Sequence, residues 1–436
     1  MKSALSFALK IALALIFSVT VGRADDTFQL NDGDRVVFYG DSITDQRLYT
    51  TFVETYVVTR FPGRNIAFTH SGWGGDRVTG GGGGDIDVRL QRDVFAYKPT
   101  VVSIMLGMND GGYQAFDQRV FETYINGLAS IVNKIRTAQP TTRVTLIQPS
   151  PYDDVTRAPT FPGGYNSVLV RYGTAVKELA QKQGLNVADL NSPVVTMLER
   201  AKASNTNLAA KIIPDRVHPG LSGHLIMAEA LLKSWNAPAI VTDVKLDAGN
   251  GSLRVVRNTA TNISALKTEG PVLTWTQLDS ALPMPVDLSV AETALAVSSS
   301  DFELALNQEI LQVSNLPEAV YELKIDDMPI GAFTREQFAE GINLAMRQTP
   351  MSTQAAAVHK LTLARTGLHQ TRWRAIQIPL SEPRSVELKN AMPTILAALD
   401  AEEIATVIAQ HAAARPVSHR YVMTPQSMHT DEKHAK

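Results

Sequence analysis

The sequence predicts an α/β protein with a doubly wound parallel sheet, followed by a smaller unit that is first strand-rich and then helical. The chain has 436 residues, 44% of them hydrophobic, which is enough for two or three folded units. From residue 35 to about residue 235, short apolar runs alternate with longer amphipathic stretches, a pattern typical of a parallel sheet packed between helices. After Asn236, turn residues become frequent between runs such as SLRVV and PVLTW, which indicates a second unit.

Five strands and six helices are expected in the first part of the chain. Each predicted strand is a short apolar run, and each predicted helix has apolar residues at helical spacing. Because such sheets bind ligands at the carboxyl ends of their strands, polar residues at those ends are candidates for function. We expect the strands at residues 36–39, 66–69, 101–106, 144–148 and 185–188, and the helices at residues 48–60, 86–96, 117–138, 165–183, 192–203 and 222–235.

The later part of the chain is expected to begin with strands and to continue with helices. Runs rich in apolar and β-branched residues, separated by turn residues, predict strands over about residues 241–333. Helical patterns follow at about 335–374 and 390–414, and the polar residues after them predict a loose end. We therefore expect a catalytic domain at residues 25–238, an accessory unit at 239–415 and a flexible tail at 416–436.

Residues 1–24 have the features of a secretory signal peptide. Lys2 and Lys10 accompany an apolar run through Val21, and small residues precede a cleavage point after Ala24. An uncleaved membrane anchor is the alternative, because the apolar run approaches the length that spans a bilayer. The chain has no cysteine, which excludes disulfides and a cysteine nucleophile. We expect a bacterial periplasmic or secreted protein whose nucleophile is an oxygen or an amine.

The charge balance argues against a nucleic acid or an anionic membrane surface as the partner. The formal net charge is -2, from 41 basic and 43 acidic residues. Charges of both signs are interspersed, so the sequence has neither a basic footprint for phosphate backbones nor a polybasic patch for lipids. We expect a neutral or modestly charged substrate.

Polar residues and glycines that could take part in catalysis follow the first three predicted strands. In FYGDSIT, Ser42 lies on the turn after a strand, where the sheet would hold its hydroxyl towards a cleft, although Gly-Asp-Ser is also ordinary turn chemistry. In HSGWGGDRV, glycines allow backbone N–H groups to approach a ligand, which makes Gly75 a candidate oxyanion donor. In SIMLGMNDGG, the amide of Asn109 is a second candidate, because it donates hydrogen bonds without titrating.

The stretch PDRVHPGLSGH, residues 214–224, contains a possible acid and base pair. A histidine accepts a serine proton when its other ring nitrogen donates to an orienting partner, and Asp215 lies three residues before His218. A metal site that also uses His224 is the alternative, but it needs further converging ligands that the sequence does not supply. We expect His224 to pack inside the last helix of the first part, with Ser222 as the N-cap of that helix.

Taken in chain order, Gly-Asp-Ser, the glycine turn, Gly-x-Asn-Asp and Asp-x-x-His resemble the motifs of the SGNH, or GDSL, hydrolase family. The resemblance covers about residues 35–235. It implies the flavodoxin-like three-layer fold of that family and the hydrolysis of carboxylic esters, and we expect no cofactor and no metal. It also implies roles for five residues: Ser42 as nucleophile, His218 as its base, Asp215 as the orienting acid, and Gly75 and Asn109 as oxyanion donors together with the backbone N–H of Ser42.

Residues around these motifs have interpretations of their own. His70 stands where the second motif of the family often has asparagine, which leaves its hydrogen bonding open. The glycine run 80–84 lacks the Lys-Ser or Lys-Thr of a phosphate loop, so we expect a mobile loop at the rim of the cleft. We expect Asp41 and Asp110 to serve as hydrogen-bonding supports. Trp73 either lines the cleft or covers the core.

Two classes of function follow from these observations. One is a serine esterase acting on a carbohydrate O-acetyl ester, another short-chain ester or a lipid ester. The other is a catalytically degenerate domain that binds glycan. Because all five family positions hold competent residues, we favour the esterase, and the lack of a broad apolar stripe favours a small-molecule or glycan ester over a long-chain lipid. We expect Trp275, Tyr321 and Trp373 to pack in the core of the second unit.

Overall fold

The computed structural model describes residues 27–426. The signal peptide predicted for residues 1–24 lies outside this range, as do residues 427–436 at the other end. Within the described range, no helix combines the length and the apolar character that crossing a membrane requires.

The first part of the chain, residues 35–238, is called the α/β part below. Its strands and helices alternate as predicted, and most of their bounds differ from the predicted ones by only a few residues. In chain order they are β1 (Arg35–Gly40), α1 (Ser42–Asp45), α2 (Leu48–Arg60), β2 (Ala67–Gly72), β3 (Gly80–Gly81), β4 (Gly84–Asp85), α3 (Ile86–Asp93), β5 (Val101–Met105), α4 (Gln118–Ala138), β6 (Arg143–Ile147), α5 (Gly164–Gln183), β7 (Asn186–Ala188), α6 (Ser192–Ser204), α7 (Thr206–Ala209) and α8 (Leu221–Ser234).

Five of these strands form one parallel sheet in the order β2-β1-β5-β6-β7. This is the flavodoxin-like strand order, and it confirms the predicted α/β fold class. In the register, Gly40 at the end of β1 lies opposite Gly72 of β2 on one side and Met105 of β5 on the other. The carboxyl ends of these three strands therefore stand level, and the motifs that follow them emerge side by side.

One predicted detail of the last helix is wrong. The N-cap of α8 is Gly220, in an extended conformation, and Ser222 is a buried residue inside the first turn. The Pro219-Gly220 turn directs the chain into the helix, and the carbonyl oxygen of Gly220 accepts from the N–H of His224 at 3.0 Å. This is the first bond inside the helix, and no side chain caps the N–H groups that precede it.

The rest of the described chain, residues 239–426, is called the C-terminal region. It contains strands first and helices later, as predicted. In chain order the elements are β8 (Ile240–Asp247), β9 (Arg254–Thr259), β10 (Thr261–Glu269), β11 (Val272–Asp279), α9 (Ala291–Ser298), α10 (Phe302–Leu306), β12 (Gln308–Ser314), β13 (Val320–Ile325), β14 (Met328–Thr334), α11 (Arg335–Glu340), β15 (Ile342–Asn343), α12 (Pro350–Gln370), α13 (Val386–Ala413) and β16 (His419–Pro425).

These strands form a four-stranded sheet, β15-β12-β8-β9, and a five-stranded sheet, β10-β11-β16-β13-β14. Strand β16 lies between β11 and β13, so the prediction of a flexible tail at 416–436 is wrong for residues 419–425. Tyr421 and Met423 are fully buried, whereas Arg420 between His419 and Tyr421 is exposed. The short alternating pattern of a strand was hidden by the polar residues on its outward face.

The helices of the C-terminal region pack against the α/β part. Helix α12 contacts α2, and Arg365 of α12 donates to the two carboxylate oxygens of Glu54 at 2.8 and 2.5 Å, inside the protein. Trp275 and Tyr321 lie in the core of the strand-rich sheets, as expected, but Trp373 is buried against Trp73 of the α/β part instead. The division into units at residue 238 therefore stays a prediction.

Candidate active site

Ser42 lies directly after the first strand of the sheet. Strand β1 ends at Gly40, and Asp41 caps helix α1 by accepting the N–H of Ile43 at 3.1 Å. Ser42 is the first residue of that helix, so its N–H belongs to the group of N–H donors that a helix leaves without an internal acceptor. The serine is thus fixed at the carboxyl edge of the sheet, with its backbone donor available.

The structure brings Ser42, His218 and Asp215 together in one hydrogen-bonded row. The Nε2 atom of His218 lies 2.8 Å from Oγ of Ser42, and its Nδ1 atom lies 2.6 Å from Oδ2 of Asp215. A carboxylate only accepts, so Nδ1 carries the proton and Nε2 is left as the acceptor for the serine hydroxyl. This is the arrangement that activates a serine nucleophile.

Asp215 is held as a carboxylate by the turn in which it lies. Its Oδ1 atom accepts the backbone N–H groups of Val217 at 2.9 Å and His218 at 2.7 Å. Partial burial raises the pKa of Asp215, but the hydrogen bonds from His218 and Val217 outweigh this effect, so the pKa lies below its ordinary value of 3.8. A charge at this position stabilises an imidazolium ion on His218.

Arg157 and Asp153 anchor the turn that carries Asp215 and His218, and sequence reasoning missed both. Arg157 donates to the carbonyl oxygens of Ile213 and Pro214, both at 2.8 Å, and pairs with buried Asp153 at 3.1 Å. The N–H of Asp153 bonds the carbonyl oxygen of Arg216 at 2.8 Å, where the backbone has a φ of 74°. The sequence does not reveal this anchoring, because bonds from a side chain to distant carbonyl groups leave no local pattern.

The two predicted oxyanion donors lie on neighbouring turns. Gly75 has a φ of 79°, which favours glycine, and a Cβ atom on Gly74 would lie 4.0 Å from the Cβ of Ser42, so this turn runs beside the serine. Asn109 donates through Nδ2 to the carbonyl oxygen of Asp76 at 3.0 Å. That amide has two hydrogens, so a second donor remains for a ligand. Their roles as oxyanion donors stay predictions.

His70 has a structural environment away from the cleft. The ring is fully buried in β2, with Nδ1 at 2.6 Å from Oγ1 of Thr50 and Nε2 at 3.0 Å from Oε2 of Glu54. Burial lowers the pKa of His70 to about 4, although Glu54 opposes the shift. The ring is therefore neutral at pH 7 and donates from Nε2 to Glu54.

His224 is buried behind the site, as predicted. Its Nδ1 atom accepts the N–H of Tyr49 at 3.2 Å, its Nε2 atom lies 2.9 Å from Oε1 of Gln46, and the ring stacks on Tyr49. Burial lowers the pKa of His224 to about 3. Among residues 27–426, no group of three or more His, Asp or Glu side chains is placed to hold a metal ion.

Asp41 is buried and Asp110 is half-buried, and both accept backbone N–H groups, as predicted. Asp41 accepts from Ile43, and Asp110 accepts from Val78 at 2.9 Å. Burial raises the pKa of Asp41 to about 7 and that of Asp110 to about 6. Both side chains fix turns that carry the candidate residues.

The glycine run is a hairpin instead of the expected mobile loop. Strands β3 and β4 pair antiparallel, with Gly80 opposite Asp85, and Asp85 then caps helix α3. A Cβ atom on Gly83 would lie 2.6 Å from the ring of Trp73, so glycine is needed for this close packing. Trp73 lies under the guanidinium of Arg374, at 3.2 Å from the ring centroid, and thus covers the core.

An open cavity of about 620 Å³ lies at Ser42 and His218. Seven of its eleven lining residues are polar or charged, and one of these, Gln370, comes from α12 of the C-terminal region. The lining residues are Ser42, Asp45, Gln46, Arg47, Leu48, Pro214, Asp215, His218, Pro219, Gly220 and Gln370.

Comparisons with known proteins agree with this architecture. Residues 38–226 match the model of the GDSL-like lipase/acylhydrolase family. An acetylxylan esterase of Geobacillus stearothermophilus is 26% identical over 226 residues, which are 47% of this chain and 95% of that protein. The solved structure of a gut microbial diltiazem-metabolizing enzyme is 26% identical and has a TM-score of 0.77, covering 92% of this chain and 99% of that chain.

The parallel sheet and the family match define a carboxylic ester hydrolase. More specifically, residues 38–226 of the α/β part match the GDSL-like lipase/acylhydrolase family, the family that the sequence motifs resemble. The likeness to the diltiazem-metabolizing enzyme extends through the C-terminal region as well. The strand-rich and helical addition is therefore a fold that this chain shares with that protein.

Proposed function

We propose that this protein is a serine esterase that removes acetyl groups from carbohydrates through an acyl-enzyme on Ser42. The observation that carries the proposal is the row of Ser42, His218 and Asp215, with contacts of 2.8 and 2.6 Å. The predicted signal peptide supports a periplasmic or secreted location, where acetylated polysaccharide would be met.

In the acylation step, Nε2 of His218 takes the hydroxyl proton while Oγ of Ser42 attacks the ester carbonyl carbon. The carbonyl π electrons move to oxygen, and Asp215 stabilises the imidazolium ion that forms. The N–H groups of Ser42 and Gly75 and the amide of Asn109 donate to the oxyanion. When the tetrahedral intermediate collapses, the bond to the alcohol breaks and His218 gives its proton to the leaving oxygen.

In the deacylation step, water replaces the alcohol. His218 takes a proton from the water as its oxygen attacks the acyl-enzyme, and the same donors stabilise the second oxyanion. Collapse breaks the bond to Oγ, and the proton on His218 returns to Ser42. The products are the free acid and the regenerated serine.

The lining of the cavity and the named relative support a carbohydrate ester as substrate. Asp45, Gln46, Arg47 and Gln370 offer charged and amide groups that can bond sugar hydroxyls. The acetylxylan esterase matches this chain along 95% of its own length. A small acyl group and a polar alcohol fit these observations together.

The test measures hydrolysis of 4-nitrophenyl acetate, 4-nitrophenyl palmitate and acetylated xylooligosaccharides by the wild-type protein and two serine variants. We expect Ser42→Ala to lose roughly 10⁴-fold or more in kcat. Ser167→Ala, at an exposed position of α5, should keep it. A fluorophosphonate probe should label the wild type and Ser167→Ala but leave Ser42→Ala unlabelled.

Two results would change the proposal. Folded wild type without labelling or hydrolysis would indicate a degenerate domain that only binds glycan. A kcat/KM for the palmitate that exceeds the values for both acetyl substrates would indicate a lipid ester hydrolase.

A further inference from the structure

Helix α12 continues as a π-helical segment, Thr371–Gln377, that lies against the α/β part. A π-helical turn is rare, and where one occurs it often belongs to a functional site. This segment presents two side chains to the α/β part, Trp373, which is 1% exposed, and Arg374, which is half-buried.

Arg374 joins the ends of the two elements that carry Ser42 and Gly75. Its guanidinium lies 3.5 Å from Oδ1 of Asp45, the last residue of helix α1. The same group donates to the carbonyl oxygen of Gly72 at 3.4 Å, at the end of β2, and covers the ring of Trp73. One cation therefore ties the nucleophile helix to the glycine turn, residues 72–76.

The two segments that Arg374 joins, the end of β2 and the end of α1, are in very close contact. A Cβ atom on Gly72 would lie 2.1 Å from the backbone nitrogen of Asp45, so the two chains meet backbone to backbone. The spacing between these two backbone segments fixes the position of the Gly75 N–H relative to Ser42. A shift of either chain changes the shape of the predicted oxyanion site.

Trp373 leads to the other predicted donor through a chain of buried polar contacts. Its Nε1–H donates to Oδ1 of Asp93 at 2.7 Å, and Asp93 pairs with Arg89. Nε of Arg89 donates to Asp76 at 2.6 Å, and the backbone carbonyl oxygen of Asp76 accepts the amide of Asn109 at 3.0 Å. Buried networks of this kind are rigid because an unpaired member is costly.

We propose that the π-helical segment positions the oxyanion donors, with Arg374 as a positioning residue for Gly75 and Trp373 as a positioning residue for Asn109. This rests on the proposed function, in which these donors stabilise the oxyanion. Neither Arg374 nor Trp373 lines the cavity at Ser42, so both act through other residues. The C-terminal region is thereby part of the catalytic apparatus.

The test compares kcat and KM for 4-nitrophenyl acetate in variants of the full chain. We expect Arg374→Ala to lower kcat by roughly 10- to 100-fold, the scale of a small misplacement, with KM nearly unchanged. Arg374→Lys should recover part of kcat, because an ammonium group still pairs with Asp45 and covers Trp73. Trp373→Phe, which removes the N–H donor and leaves a smaller aromatic ring in the same place, should also lower kcat.

Arg372→Ala is the matched control, because Arg372 lies in the same segment but pairs with Asp400 of α13. Its kcat should equal that of the wild type. Normal kcat in folded Arg374→Ala, or an equal loss in the Arg372 and Arg374 variants, overturns the proposal. If Arg374→Ala does not fold, normal kcat in both Arg374→Lys and Trp373→Phe overturns it. The proposed function is judged separately, by whether Ser42→Ala abolishes hydrolysis.

Discussion

At the scale of single residues, His218 and His224 show how six positions separate two environments. His218 lies in an irregular turn, where its ring joins Asp215 to Ser42 across the cleft. His224 lies one turn into α8 and is completely buried against Tyr49. Helical position was enough to separate them in the sequence, because the face of a helix determines which side chains enter the core.

The burial of His224 predicts a loss of stability in acid. Its pKa is about 3 in the folded protein, below the ordinary 6.5, so the unfolded chain takes up a proton more readily. The stabilisation is present above pH 6.5 and is lost as pH falls towards 3, at up to about 1.4 kcal/mol per pH unit. We expect His224→Gln to have a shallower decrease in the free energy of unfolding between pH 6.5 and 4, measured by urea denaturation.

His70 also lowers the free energy of unfolding as the pH falls, because its pKa is about 4 in the folded protein. The His224 variant should therefore retain part of the dependence of that free energy on pH. An unchanged slope in the variant would show that His224 is not buried as a neutral ring in solution.

The candidate residues that the sequence could identify are those whose position is fixed by a strand end or a short turn. Ser42 follows β1 and Asp215 lies three residues from its histidine, so each is a candidate from its local position, and the resemblance of the four motifs to the family implied their roles. Arg157 and Arg374 could not be found in this way. Their partners are backbone carbonyl groups and residues far along the chain, which any segment of similar composition could supply.

At the scale of elements, strand β16 shows how a strand with alternating polar and apolar residues is missed in the sequence. Its pairing partners β11 and β13 lie far earlier in the chain, and the alternation of buried and exposed residues extends over only a few positions. The strands of the parallel sheet in the α/β part were predicted because both faces of such a sheet are buried, which leaves continuous apolar runs. The fold class followed from those runs, and the position of β16 did not.

Because β16 lies inside its sheet, substitutions at two adjacent positions should have very different effects on the free energy of unfolding. Tyr421→Ala removes a buried ring that stacks on Trp275 at 4.9 Å between centroids, and we expect a loss of about 3–5 kcal/mol in the free energy of unfolding. Arg420→Ala, at an exposed position, should change it by about 0.5 kcal/mol or less. Urea denaturation followed by tryptophan fluorescence and circular dichroism measures both, and equal effects would contradict the pairing of β16.

At the scale of the whole molecule, a buried charge pair joins the C-terminal region to the α/β part. Burial raises the pKa of Glu54, but Arg365 and His70 outweigh this effect and lower it to about 2. Gln410 of α13 adds a hydrogen bond to Oε1 at 3.1 Å. The sequence predicted both helices but not this contact, because the two partners are 311 positions apart.

The buried pair predicts that replacing Arg365 alone lowers the free energy of unfolding more than replacing Arg365 and Glu54 together. Arg365→Met leaves Glu54 buried without its cation, which should cost roughly 3–5 kcal/mol in the free energy of unfolding. Arg365→Met combined with Glu54→Leu should recover most of that loss, because a buried pair replaced by apolar residues is often neutral. Thermal and urea denaturation of both single variants and the double variant gives the coupling energy. Additive losses would contradict the pair.

The order of synthesis gives the position of Arg365 a consequence for folding. A growing chain emerges from its amino terminus, so Glu54 and the motif residues leave the ribosome before Arg365, Trp373 and Gln410 exist. Until then the carboxylate of Glu54 has no guanidinium to pair with when it becomes buried. We therefore expect the α/β part to complete its packing, and the esterase to become active, only after translation has reached the last helices.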